Sequence, residues 1–201
     1  MDFVIDIQFF KGNGNVSIPK EIAIVSLDKD CIAHWLISSS GPIENLSRDI
    51  RKQNNWLTLH HHGIDYLDGE VSKRNAIKSL KDISKHARKI YVRGKEKWDF
   101  MNKETAGVII NLEFDSDCPS FNNLPWNEKF CIYHALKGPT RFSCALNNAF
   151  GLKFNQNEDL SHTELESTLN NLSKTWFGEF DPCLLAKTTS YRPEEKELNH
   201  E

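Results

Sequence analysis

The most constraining feature of this 201-residue chain is a cysteine–histidine cluster in its second half. Cys131 and His134 stand at i and i+3, and nine residues separate His134 from Cys144. On a helix, i and i+3 share a face, so Cys131 and His134 can grip one ion. Gly138-Pro139 supplies a turn that returns a second helix, with Cys144 near its start. Thiolate and imidazole donors suit zinc, which takes four tetrahedral ligands in a structural site. Two residues compete for the fourth position. Cys118, on an upstream loop, gives a three-thiolate site. Glu21, at the start of a strand, gives a carboxylate one. Spacing leaves both open. The competing reading is that the buried cysteines are small hydrophobes and His134 is an ordinary histidine.

The chemistry of the compartment decides how the five cysteines are read. Met1-Asp2-Phe3-Val4-Ile5-Asp6 carries acids where a signal peptide carries positive charge, and it has no small-residue cleavage site. No apolar run reaches the roughly 18 residues that span a bilayer. These features predict a cytoplasmic or nuclear protein with reduced thiols, where clustered cysteines bind metal. With 39% hydrophobic and 26% charged residues, the chain predicts one globular domain over residues 1–180. Residues 181–201 are polar and Glu-rich and predict a tail.

Phe3 to Phe10 reads as a buried strand with polar residues at its centre, and Lys11 to Asn15 as a turn. Glu21 to Leu27 and Cys31 to Ile37 complete an antiparallel meander. Ser38 to Gly69 is polar and irregular, with one short helix near Glu44 to Lys52. Ser72 to His86 has helical spacing of Ala76, Ile77, Leu80 and Ile83. Lys89 to Val92 and Gly107 to Leu112 read as strands flanking a helix from Glu96 to Lys103. Pro125 to Leu136, Arg141 to Phe154 and His162 to Trp176 read as helices. Three strands, then α-β-α-β, then helices predict an α/β fold, a mixed sheet with flanking helices. Meander followed by crossovers is the RNase H-like pattern, although other α/β layouts fit the same order.

The residues around the cluster resemble the Maelstrom family, animal proteins of germline small-RNA silencing. Its motif Cys-x2-His followed by Cys-Ala-Leu is matched by Cys131, His134 and Cys144-Ala145-Leu146. Its acid follows a proline on the second strand, and Pro19-Lys20-Glu21-Ile22 resembles that. Ile90-Tyr91-Val92-Arg93, followed by a Trp-containing helix, is similar to the family's fourth strand. The resemblance spans roughly Phe3 to Phe154. It implies an RNase H-like fold close to the DEDDh exonucleases, with a structural zinc held by Glu21, Cys131, His134 and Cys144.

The same resemblance implies a degenerate nuclease. Two-metal hydrolysis needs several carboxylates around one phosphate. Where the exonucleases open with Asp-x-Glu, this chain has Asp6-Ile7-Gln8. Where they carry His-x4-Asp, it has Ser143 and Asn148. A middle acid aligns loosely with Asp99. The resemblance implies RNA binding without the usual catalysis, and leaves room for weak single-stranded RNA cleavage by other means. His60-His61-His62 offers three imidazoles, but consecutive side chains diverge. A solvated loop is therefore expected there, against a functional role.

The net charge of −3 argues against a strongly basic nucleic-acid binder. Charge is nevertheless concentrated between Lys73 and Lys97. Lys73, Arg74, Lys78, Lys81, Lys85, Arg88, Lys89, Arg93, Lys95 and Lys97 face only two acids there, Asp82 and Glu96. This run either tracks an RNA backbone, with Tyr91 and Trp98 for base stacking, or solubilises a helix face. The expected partners are single-stranded RNA and silencing-pathway proteins, with no membrane and no small-molecule substrate. A protein-interaction scaffold of the same fold is the alternative.

Overall fold

β1 (Asp2–Lys11) lies inside the sheet, and residues 2–10 are all buried. Burial on both faces accounts for its near-continuous apolar run, which only Asp2, Asp6 and Gln8 interrupt. β2 (Ser17–Ser26) pairs antiparallel with it, and β3 (Ile32–Ser38) antiparallel with β2. The expected meander is present, and β2 starts earlier than expected. β4 (Val71–Ser72) joins β3 in parallel, a strand too short to show a pattern in sequence. β5 (Lys89–Val92) and β6 (Ile109–Asn111) extend the other side in parallel. The result is a mixed six-stranded sheet in the order β4-β3-β2-β1-β5-β6. This is a computed structural model that describes residues 1–29, 31–115, 118–124, 131–137 and 142–156, within one unit spanning Met1–Ser161. The Gly138-Pro139 turn, residues 125–130, the helix expected over His162 to Trp176 and the tail lie outside the described residues.

Register decides what each face carries. Gln8 stands opposite Glu21, and Asp6 opposite Ala23, which in turn faces His34 on β3. Because side chains alternate, Asp6, Gln8, Glu21, Ala23 and His34 share one face. The register shifts between Gln8 and Phe9, with Phe9 opposite Pro19, so Lys20 is an extra residue on β2. Such a bulge re-aims the side chains beside it. Lys20 turns inward, 1% exposed, and donates to the carbonyls of Tyr66 (2.7 Å) and Asp68. Burial pulls its pKa down to about 8, against the attraction of Asp68 and Asp65.

Six α-helices lie among the described residues: α1 (Arg48–His60), α2 (Lys73–Ser84), α3 (Lys95–Glu104), α4 (Leu112–Asp115), α5 (Ile132–Ala135) and α6 (Ala145–Gln156). α6 packs on β1 and β2 through Ala145, Leu146, Ala149, Phe150 and Leu152. On the opposite face Phe9 meets Phe100 of α3 edge-on, with ring centroids 5.4 Å apart. α2 packs on β3 and β4 and buries Ala76, Leu80 and Ile83, as its spacing predicts. α1 runs well past the short helix expected near Glu44 to Lys52. Ser47 caps its start by accepting the Ile50 amide at 3.4 Å. Its single buried residue is Asn54, which exchanges two 2.8 Å hydrogen bonds with the Lys11 backbone.

Candidate metal centre and its polar neighbour

Glu21, Cys131, His134 and Cys144 are all buried, and their ligand atoms lie within 4.8 Å of one another. Three elements deliver them. Glu21 comes from the bulged part of β2. Cys131 is the residue before α5 and His134 lies inside it. Cys144 immediately precedes α6. Cys131 departs from the expected helix: its φ of −112° and ψ of 108° are extended. The i, i+3 reach survives because the residue before a helix and its third residue still face each other. Cys131 Sγ lies 3.1 Å from His134 Nδ1. Cys144 Sγ lies 3.5 Å from Glu21 Oε1, and His134 Nδ1 lies 3.8 Å from the same oxygen. Ligands about 2.0–2.3 Å from a tetrahedral zinc would stand roughly 3.3–3.8 Å apart. These three separations lie near that range, and the four donors, within 4.8 Å of one another, could close on one metal ion with chemistry that suits zinc.

The surroundings orient each donor. His134 donates from Nε2 to the His62 carbonyl at 2.6 Å, which leaves Nδ1 with a lone pair facing the cluster. Glu21 Oε2 accepts the Ala145 amide at 2.8 Å, placing a carboxylate at the positive end of α6. His34 Nε2 lies 2.8 Å from Glu21 Oε1. Burial alone would raise the Glu21 pKa, but the His34 hydrogen bond and charge lower it. The hydrogen bond from Cys144 lowers Cys131 to about 5, while burial drives Cys144 well up. The cluster thus holds a carboxylate and a thiolate side by side, a charge pattern that a divalent cation neutralises. Cys118 is not part of it. Its thiol reaches the Pro119 carbonyl at 3.7 Å, and the group of four that could hold an ion takes Glu21 as its fourth member.

The histidine run departs from the expected solvated loop. His60 ends α1 and is exposed, with its ring 5.8 Å from that of Trp56. His62 is fully buried beside Phe10, with ring centroids 4.8 Å apart, and burial lowers its pKa to about 4. Gly63 permits this packing. It has φ +68°, and a Cβ there would lie 2.6 Å from the Phe142 ring. Ser143, between Phe142 and Cys144, is also anchored here, because its amide donates to the His61 carbonyl at 2.7 Å.

Beside this cluster, Asp6, Gln8, Ser143 and Asn148 converge. Asn148 Nδ2 donates to Asp6 Oδ2 at 2.9 Å and to Ser143 Oγ at 3.2 Å. Gln8 Nε2 reaches Asp6 at 3.3 Å and Ser143 at 3.1 Å. Asp6 Oδ1 is held by Lys97 Nζ in an ion pair that is fully buried on the Asp side and 15% exposed on the Lys side. Burial raises the Asp6 pKa, opposed by the Lys97 charge and hydrogen bond. The ammonium sits where a cation would neutralise Asp6, a role that sequence reasoning missed. Asp99 is on α3, paired with Lys95 at 3.1 Å.

The ten basic residues do not form one surface. Lys97 is spent on Asp6. Arg88 forks onto Asp2, donating at 2.9 and 2.8 Å. Arg93 stacks on Phe121 at 5.2 Å and lies 3.8 Å from Glu113. Lys95 pairs with Asp99, and Lys89 lies on β5. Lys73, Arg74, Lys78, Lys81 and Lys85 line a groove beside α2, whose lining includes neither Tyr91 nor Trp98. Trp98 instead donates its indole N–H to the Ile109 carbonyl at 3.3 Å.

Fold and site together define a mixed-sheet α/β protein with a buried four-residue cluster of metal-binding type. No family model and no curated protein matches the chain. No described helix is long and apolar enough to cross a membrane.

Proposed function

We propose that this chain is an RNA-binding domain of RNase H-like, Maelstrom-like type, catalytically degenerate and held together by structural zinc, acting in small-RNA silencing or its suppression. The observation that carries the reading is the Asp6–Lys97 pair. In the cluster of Asp6, Gln8, Ser143 and Asn148, a side-chain ammonium provides the positive charge that hydrolytic sites take from metal ions. A meander joined to parallel β5 and β6 supports the fold assignment. Glu21, Cys131, His134 and Cys144 would hold the zinc, and the ion would tie β2 to α5 and α6. The basic groove on α2 supplies the RNA surface.

A protein-interaction scaffold is the second reading. Trp56 (56% exposed) and Leu59 (65% exposed) stand one turn apart on α1 and favour it. Binding of a single-stranded RNA measured at 50 and 200 mM KCl separates the two. Affinity that falls steeply with salt, with the RNA left intact in the presence of Mg2+, supports the RNA reading. Absence of binding at 50 mM KCl refutes it. Elemental analysis of the purified protein should give one zinc per chain, lost in Cys131→Ser. A metal-free, folded wild type would refute the zinc assignment.

A further inference from the structure

A groove of about 820 Å3 opens between the end of β3 and the outer face of α2. Five cations and two acids, Asp82 and Glu104, line it. Each acid is already matched: Lys85 holds Asp82 at 2.7 Å, and Lys81 holds Glu104 at 3.1 Å. Lys73, Arg74 and Lys78 remain, and none of them makes an ion pair among the described residues. All three lie in the first two turns of α2, where the first turn has no acid. Cations there oppose the helix dipole, so their clustering weakens the helix instead of serving it.

The rest of the lining limits what the groove can read. It has no aromatic side chain to stack a base. Ser38 and Ser39 donate their hydroxyls to the carbonyls of Val71 and Tyr66. Ser72 accepts the Asn75 amide at 3.3 Å as the cap of α2. We infer that the groove takes the backbone of a single-stranded nucleic acid through its phosphates alone, with Lys73, Arg74 and Lys78 as the contact set, and reads neither base nor sugar. This rests on the RNA-binding reading above and narrows it to three side chains.

Three phosphate contacts to a single strand predict a salt slope of about −2, or a roughly twentyfold loss of affinity between 50 and 200 mM KCl. Fluorescence anisotropy with labelled oligo(U), oligo(A) and oligo(dT) of about twelve nucleotides measures it. The three affinities should agree within about threefold. The triple variant Lys73→Ala, Arg74→Ala, Lys78→Ala should lose at least tenfold at 50 mM KCl and most of the slope, with its thermal midpoint unchanged or raised, since cations that oppose the helix dipole are removed. Lys95→Ala, on α3, should stay within twofold of wild type. Wild-type affinity in the triple variant would overturn the groove assignment while leaving RNA binding intact. A tenfold preference for one homopolymer, or for RNA over DNA, would overturn phosphate-only recognition. No binding by the wild type would overturn both.

Discussion

Asp6 illustrates how one residue's meaning depends on its partners. Fully buried, it accepts hydrogen bonds from Gln8 and Asn148 and an ion pair from Lys97. A buried carboxylate left without its cation is costly, whereas replacing both partners with neutral groups removes the charge from the problem. Lys97→Met should therefore destabilise the protein by about 3–5 kcal/mol. The double variant Asp6→Asn, Lys97→Met should recover most of that loss. Urea unfolding of the four proteins in the cycle checks it, and a double variant as unstable as Lys97→Met would show that the packing of Lys97 matters more than its charge. In sequence, Lys97 was indistinguishable from its neighbours in the basic run, because counting charges does not reveal which cations turn inward. Only a family resemblance groups Asp6 and Gln8 with Ser143 and Asn148, since the two pairs are 135 or more positions apart.

At the scale of elements, what could be read in advance follows from whether an element is built by apolar pattern or by polar contacts. β1 to β3 and α2 are built by apolar pattern, and they stand close to where periodicity puts them. α1 buries only Asn54 and docks by hydrogen-bonding the Lys11 backbone, so no apolar stripe marks its length. The metal cluster was legible in Cys131, His134 and Cys144, but its fourth member depended on a β-bulge that no spacing rule locates. The pairing of β1 with β5 has a polar clamp of its own: Arg88, just before β5, forks onto Asp2 and donates its amide to the Met1 carbonyl at 2.7 Å. The Arg88 hydrogen bond, opposed by burial and helped by the Arg88 charge, lowers the Asp2 pKa below 3.8 in the folded state. A carboxylate with a depressed folded pKa adds stability that is complete well above 3.8. That stability is lost as pH falls through the folded value, because the unfolded chain takes up the proton first. The gap in urea midpoint between wild type and Arg88→Ala should hold steady from pH 7 to about 5 and close as pH falls below 3.8. A gap that persists undiminished in acid would mean that Arg88 acts through packing.

Across the molecule, one face of the sheet carries two polar clusters that consecutive residues connect: Ser143 belongs to the Asp6 cluster and Cys144 to the metal cluster. Across the strands, Gln8 and Glu21 are directly opposed, one in each cluster. Charge is handled differently in the two. The Asp6 cluster is neutralised from within the chain by Lys97, whereas Glu21 and Cys131 have His34 and His134 beside them among the described residues and, in the proposed reading, a divalent ion would complete the site. Metal removal should therefore act unevenly. Ligand deprotonation and ion binding are coupled to folding, so a chelator withdraws stability from the elements that the ion joins. Those elements are β2, α5 and α6, which otherwise meet through α6 packing on β1 and β2 and the Glu21–Ala145 hydrogen bond. β5 and β6 hold to β1 by backbone pairing that involves no ligand. Hydrogen exchange after treatment with a zinc chelator should show faster exchange in residues 132–135 and at the start of α6, with β1, β5 and β6 still protected. Uniform loss of protection would mean that the ion holds the whole sheet together. Unchanged exchange everywhere would mean that the four residues stay closed through their own hydrogen bonds, without a metal.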